Sequence, residues 1–527
     1  MDLLTLNRWR IFLIVFLIWA AIYLPSLGKT EFKGEEGRRV LPALTMLETG
    51  NWMVPSVGGE DYWNKPPGIN WLVAISFMLT GEQSEFAARL PSALFVLAFV
   101  SLLVWAPLPW LKPPAFLISA IVFLTNSSLI EKGRLIEIEA VYISLTGIAI
   151  LLWLSAWSNN SSRWSLWILP SIVLGFGILV KGPLIIGFFY GTVIAVLIYA
   201  RRLKELFTLQ HILAVTIIVA MPLAWFYFAY QLTSGPDMVA RMTSQFVGHT
   251  VSPKMSFIHW VWNVVKSLRN FLPWLLFVPM LWQKMLISRI DQEYTTLFKG
   301  CRLGLIISFG SIILMPSMLS RYSLPVIPLV SILIGWILSL HKEFVYSDRL
   351  WRGALLAVFC LSCLTAVAGL IIVTTQPLAL VVSALAILST VIIFCKRTLI
   401  DNAVVLSLTT ALLTVVIMLQ YAIFAVPIIK DHERRRPAAY AVNEIVPAGE
   451  TVYVFKPGYQ AFLFYLRPPI KYVLTADEVD KNVRYLLLEN RYLEELKTNP
   501  QISCRSVEIL HRFTDRIKGD YKLVRLE

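Results

Sequence analysis

The stretch FKGEEGRRVLPALTMLETGNW, residues 32–52, decides how this chain is read. It follows directly on IFLIVFLIWAAIYLPSL (11–27), an apolar run preceded by Arg8 and Arg10. That run has the charge pattern of a signal peptide but no small-residue cleavage site. Trp19, Tyr23 and Pro25 fill its end, so it is expected to stay as a first membrane span. Two adjacent glutamates and two adjacent arginines beside a span call for a reason. On a helix, Glu35, Arg38 and Arg39 fall at i, i+3 and i+4, so carboxylate and guanidinium groups share a face.

The rest of the chain says what kind of protein carries this cluster. It has 527 residues, 57% of them hydrophobic and 15% charged. Soluble globular chains carry about 25% charged residues, so this is an integral membrane protein. Apolar runs recur up to residue 427, which excludes a single anchor on a soluble enzyme. With about twenty apolar residues needed per crossing, the runs give an all-α polytopic protein of about 13 transmembrane helices. The candidates lie near 11–27, 88–110, 114–130, 140–157, 164–180, 183–200, 209–230, 259–282, 302–318, 322–340, 353–374, 378–395 and 403–427. PPGINWLVAISFMLTG (66–81) is shorter and opens on two prolines, which suits a helix lying along the membrane surface.

An inside N-terminus makes every expected cytoplasmic loop basic, from Arg8 and Arg10 through Lys112, Arg163, Arg201 and Arg202 to Lys396 and Arg397. This is the positive-inside pattern, and it accounts for the net charge of +14 without a nucleic-acid partner. The outer segments then collect the unusual residues. These are Glu35, Glu36, Arg38 and Lys65, then Glu131, Arg134, Glu137 and Glu139, then Lys181, then His249 and Lys254, and finally Arg321. The expected catalytic outer loops are 28–87, 131–139, 231–258 and 318–322, within a transmembrane domain of residues 1–429.

After Pro427 the composition turns polar. Short β-like runs (451–455, 484–489, 506–510, 521–526) with a helical stretch at 492–497 predict a small α/β extramembrane domain over 430–527, on the outer face. Of five cysteines, Cys360 and Cys363 form C-x-x-C inside an apolar run. Without basic or histidine neighbours they read as small core residues, and no disulfide is expected.

Two acidic centres and several cations thus converge on one face from different segments. Carboxylates serve as general base or metal ligand. Arginine and lysine suit a phosphate. A carboxylate such as Glu139 at the mouth of a span is costly unless it has a function or a partner. Together these features describe a lipid-phosphate substrate at the membrane boundary.

Here the sequence resembles a known family. EEGRR, LETGNWMVP, GEDYWNKPPGINWL and EFAARLPS look like the first outer loop of GT-C glycosyltransferases, closest to the protein O-mannosyltransferases and the lipid A aminoarabinose transferases. GRLIEIE, VKGP, LPW (272–274) and RYSLPVIP (321–328) follow in the family's order, so the landmarks run from residue 31 to about 330. The sequence departs from the family in carrying glutamate where the pattern has aspartate, at Glu35 and Glu139. It also has Ser244 where the pattern has an arginine, a charge that Arg241 could supply.

The resemblance implies an inverting glycosyltransferase in a bacterial inner membrane, with its active site on the periplasmic side. It would move a sugar from a polyprenyl-phosphate donor, among membrane lipids, to a lipid, glycan or protein acceptor. It implies Glu35 as general base or acceptor-orienting carboxylate, and Glu139 as the group that orients the acceptor or holds a metal. A divalent metal ion is a candidate cofactor, with Glu35 and Glu139 its candidate ligands. Glu36, Arg38, Lys65, Lys181, Arg321 and Tyr322 would bind substrate. The alternative is a lipid or lipid-linked-sugar transporter. A transporter places charges near the bilayer midplane, often with inverted repeats, whereas here no repeat is seen and the charges crowd one face.

Overall fold

The structure is a computed structural model that describes residues 7–250, 256–315, 318–340, 360, 363, 367, 403–479, 482–497, 506–512 and 521–527, the backbone alone for 245–250. It divides into two compact units: residues 1–27 with 89–427, and residues 28–88 with 428–527.

The first unit is helical. Seven helices in the described chain are long and apolar enough to cross a membrane, or eight if one bent pair is a single span. The seven are Glu85–Trp105, Ile138–Ser158, Arg163–Val180, Leu209–Leu232, Gln292–Ile313, Ser320–Ser339 and Ala403–Asp431. The protein is therefore a multi-span membrane protein. Pro113–Leu124 and Leu184–Tyr199 are shorter apolar helices. Two expected spans are broken. The run 259–282 forms Phe257–Arg269 and Trp274–Trp282, bent by 92°, where Pro273 offers no backbone donor to continue a helix. The run 114–130 stops at Leu124, and Asn126 caps a new short helix, Ser127–Lys132, by accepting from the Leu129 amide at 3.1 Å. The expected spans 353–374 and 378–395 lie outside the described residues, save three positions. Among those, Cys360 is an exposed free thiol rather than a core residue.

Helix packing here depends on small residues, because lipid supplies little hydrophobic drive between helices. Gly300 and Gly304 on Thr295–Ile313 face Leu184–Tyr199 so closely that a Cβ on either would lie 2.6 Å from the Val196 Cα or 2.7 Å from the Thr192 Cα. Gly335 meets Ser119 in the same way, joining Ile327–Ser339 to Pro113–Leu124.

The second unit holds a five-stranded mixed sheet. In chain order its strands are β3 (Val452–Phe455), β4 (Ile470–Val473), β5 (Tyr485–Glu489), β6 (Val507–Arg512) and β7 (Tyr521–Leu526), after a small hairpin, β1 (Ser56–Val57) and β2 (Glu60–Asp61). The sheet order is β4-β3-β5-β7-β6. β4, β3 and β5 are parallel, and β7 runs antiparallel between β5 and β6. Tyr485 to Leu488 are all buried, as expected of a central strand covered on both faces. The four strands expected from sequence are present, and β4 is an addition.

Residues 28–88, assigned from sequence to the transmembrane domain, pack instead with this sheet. The physical reason is a set of buried carboxylates. Glu31 Oε2 accepts from the backbone amides of Arg434 (3.1 Å), Arg435 (2.8 Å) and Arg436 (3.0 Å), at the start of helix Arg435–Ile445. Its other oxygen accepts from the Arg435 guanidinium at 3.1 Å. A remote carboxylate thus satisfies the free donors of a helix N-terminus, where the helix dipole also favours it. Glu85 pairs with Arg436 and accepts from the Tyr465 hydroxyl at 2.9 Å. Glu31→Ala should therefore destabilise this unit by about 2–3 kcal/mol. Hydrogen exchange at the amides of residues 434–436 should accelerate while helix Ile138–Ser158 stays protected. Unchanged exchange at those amides would remove Glu31 from this role. The helix expected along the membrane surface forms as Gly68–Thr80, with Ile75, Met78 and Leu79 exposed.

Candidate functional site

The candidate residues fall into two groups, one in each unit. In the helical unit, Glu139 occupies the first turn of Ile138–Ser158, Lys181 ends Arg163–Val180, and Arg321 and Tyr322 lie in the turn Ser320–Val326. Helix Ile138–Ser158 packs against both other elements, which brings residues distant in sequence together. Lys181 Nζ lies 3.4 Å from Glu139 Oε1, and each side chain is only 10% exposed. The ammonium also sits over two tyrosine rings, 5.2 Å from the centre of Tyr142 and 5.7 Å from that of Tyr322. Arg321 is exposed, and its charge acts on both members of the pair.

The local backbone explains why Lys181 points here. Gly182 adopts φ +123°, a conformation that a residue with a side chain rarely takes. The Tyr142 hydroxyl donates to the Gly182 carbonyl at 2.9 Å and fixes that turn. Tyr142 was not singled out from the sequence, although it sits three residues after Glu139 and so shares its helix face.

Other charges in these connecting segments are spent locally. Lys132 pairs with Glu131 at 2.9 Å and Glu137 at 2.7 Å. Burial raises the Glu137 carboxyl above its ordinary range, with Lys132 opposing. Arg134 donates to the carbonyls of Ile22, Tyr23 and Pro25, closing the end of helix Arg8–Tyr23. Arg89, buried, donates to the Leu27 carbonyl at 2.9 Å. The side chains of His249 and Lys254 lie outside the described residues, and Arg241 is exposed on helix Gly235–Thr250.

In the second unit, Glu35 lies in the one-turn helix Gly34–Glu36, just before Gly37–Thr49. Its Oε2 accepts from Arg38 Nη1 at 2.8 Å. The Arg38 guanidinium covers the Tyr459 ring at 3.7 Å, while its Nε is buried without a hydrogen-bond partner. Arg39 does not join them. It is buried, with its guanidinium 3.4 Å from the Tyr62 hydroxyl. Glu36, expected to bind substrate, turns inward, is 1% exposed, and accepts from the Lys33 amide at 3.0 Å as part of the helix start. Lys65 is half-buried in the bend before Gly68–Thr80.

Neither candidate metal ligand stands in a setting that suits a divalent ion. Glu139 faces a lysine and an arginine, and Glu35 an arginine. Among the described residues no three His, Cys, Asp or Glu side chains cluster.

Comparison with known proteins bears on the fold and on part of the sequence. Residues 64–226 match the family described as dolichyl-phosphate-mannose-protein mannosyltransferase, a segment that includes Lys65, Glu139 and Lys181. The chain is 27% identical over 221 residues to the undecaprenyl phosphate-alpha-4-amino-4-deoxy-L-arabinose arabinosyl transferase of Pseudomonas savastanoi pv. phaseolicola, covering 41% of each chain. It is 28% identical over 204 residues to the protein of that name from Erwinia tasmaniensis, covering 38% of this chain and 37% of the other. The similarity thus spans about two fifths of the length of these curated relatives. The crystal structure of ArnT from Cupriavidus metallidurans superposes with TM-score 0.70 at 17% identity, over 97% of both chains, both in the apo state and bound to undecaprenyl phosphate. The chain therefore shares the fold of that crystal structure over nearly its whole length, and residues 64–226 carry the sequence likeness to the mannosyltransferase family.

Proposed function

We propose that the protein is an inverting glycosyltransferase that takes a sugar from a polyprenyl-phosphate carrier on the outer, periplasmic face of the bacterial inner membrane. The acceptor would be a lipid, a glycan or a protein. The observation that carries this reading is the buried Glu139–Lys181 pair with Arg321 beside it and two tyrosine rings around the ammonium. One carboxylate against two cations leaves net positive charge in a partly dehydrated place, which favours an anion. The relatives named for undecaprenyl-phosphate sugars, and the similar fold seen with undecaprenyl phosphate bound, support a lipid phosphate as that anion.

In this reading an acceptor hydroxyl or amine attacks the anomeric carbon as the bond from that carbon to the phosphate oxygen breaks. Glu35 takes the acceptor's proton, and the polyprenyl phosphate leaves with the bonding electrons. Lys181 and Arg321 bind the phosphate. Charge on it grows through the transition state, so fixed cations stabilise that state more than the ground state. Tyr322 lines the phosphate site, and Glu139 holds Lys181 in place. No step needs a metal.

Purified protein in detergent tests this against the transporter reading, because a micelle has no two sides to move a lipid between. Incubation with a radiolabelled polyprenyl-phosphate sugar and an extract of envelope lipids and glycans should give a new labelled glycoside. Donor binding without any product, across extracts from several envelopes, would favour transport and reject the enzyme.

A further inference from the structure

The second unit contains a cavity of about 410 Å³ whose lining includes none of the residues given a part in the proposed reaction. Its volume falls in the range of small-ligand sites, about 300–1,000 Å³. Its position follows from the sheet topology. β3 and β5 are parallel neighbours. The chain leaving β3 goes to β4 on one side, and the chain leaving β5 goes to β6, beyond β7, on the other. The connections therefore diverge between the carboxyl ends of β3 and β5. Such a point in an open α/β sheet leaves a crevice, and ligands bind there. Residues 456–460 after β3, and Glu489, Arg491 and Tyr492 at the end of β5, line this cavity.

The lining has a particular chemistry. Tyr459, 44% exposed, presents aromatic surface, the Tyr492 ring lies under the cations of Lys456 (5.2 Å) and Arg491 (4.7 Å), and Gln460, Glu489, Arg491 and Glu60 present planar polar groups. The cations are already neutralised: Lys456 pairs with Glu495 at 2.6 Å and Arg491 with Glu489 at 2.8 Å. An anion would meet two spent cations and the carboxylates of Glu60 and Glu489. A sugar fits better. Its hydroxyls both donate and accept, matching carboxylate, guanidinium and amide, and the apolar face of its ring covers an aromatic ring.

The backbone here is held in costly conformations. Lys456 takes φ +44°, and Gly58, from the hairpin of the first loop, fits against the Gly458 carbonyl so closely that a Cβ would lie 2.7 Å from it. Left-handed backbone at a non-glycine residue persists where the surroundings over-determine it, and such residues cluster at ligand sites. The cavity wall also touches the Glu35–Arg38 pair, since Arg38 stacks on Tyr459.

We propose that this cavity binds a neutral sugar ring, the carbohydrate part of the acceptor; its assignment to the acceptor rests on the glycosyltransferase reading, and the sugar binding does not. Saturation-transfer NMR on the full-length protein in detergent, without donor, tests it. The probes are glucose, galactose, N-acetylglucosamine and its β-1,4 disaccharide. At least one should receive saturation on its ring protons. Tyr459→Ala, at an exposed position, should weaken that sugar about three- to tenfold, the loss expected for one ring contact. Tyr492→Ala, which also removes the ring under Lys456 and Arg491, should weaken it too, and Arg484→Ala, at an exposed ion pair outside the cavity lining, should leave the sugar signal unchanged. Absence of transfer to every probe, a signal indifferent to both tyrosine changes, or displacement of the sugar by inorganic phosphate would each overturn the proposal. Sugar binding by protein that forms no glycoside in the detergent assay would uphold the cavity and reject only the acceptor assignment.

Discussion

Glu35→Gln is expected to lower sugar transfer by about a hundred- to ten-thousandfold, the usual worth of a positioned general base. Donor affinity should stay within about threefold, because the amide keeps the shape and can still accept from Arg38. Glu35→Asp keeps the charge but shortens the reach by one methylene, and should fall between the two. The competing explanation is an ion pair with no part in the reaction. Glu35 is 45% exposed and bonded to Arg38 at 2.8 Å, and a pair of that kind contributes about 0–1 kcal/mol. On that account the glutamine variant turns over at nearly the wild-type rate and loses only a little stability. Single-turnover transfer and equilibrium donor binding, measured on the same preparations, separate the two explanations. Wild-type turnover would remove Glu35 from the chemistry.

The sequence made some of this legible because the physics is local. Apolar length marks most helices, and Tyr521–Leu526 is a strand where its β-like run predicts one. The strand Ile470–Val473 was not legible, being four residues long at the sheet edge just after Pro468 and Pro469. Glu139 and Lys181 were legible as candidates because a charge at the mouth of a span is conspicuous. That they pair is a tertiary fact across 42 positions. The union of 28–88 with the sheet was hidden for the same reason, since Glu31 and the amides it caps stand about 400 residues apart. The crevice between β3 and β5 depends on strand order, which no local pattern encodes.

Lys181→Ala should weaken binding of a polyprenyl-phosphate sugar about ten- to a hundredfold, the value of one charged hydrogen bond of about 1.5–3 kcal/mol in a dehydrated site. If Lys181 also stabilises charge growing on the leaving phosphate, the rate of the chemical step falls as well. The substitution has a second effect that must be separated from the first. Glu139 is buried against Lys181, and removing one partner of a buried pair leaves an uncompensated charge, at a cost of about 3–5 kcal/mol. A loss of donor binding in the single variant could therefore come from local collapse. The double variant Lys181→Ala/Glu139→Gln removes both charges and with them the stranded carboxylate, so its unfolding midpoint should return toward wild type. Donor affinity should not return with it if the ammonium binds phosphate. Recovery of both together would mean that the pair only supports the fold. Lys181→Arg gives a further check, because it keeps the charge and the partner. It should bind donor better than the alanine variant but below wild type, since a planar fork does not place its donors where a compact ammonium does.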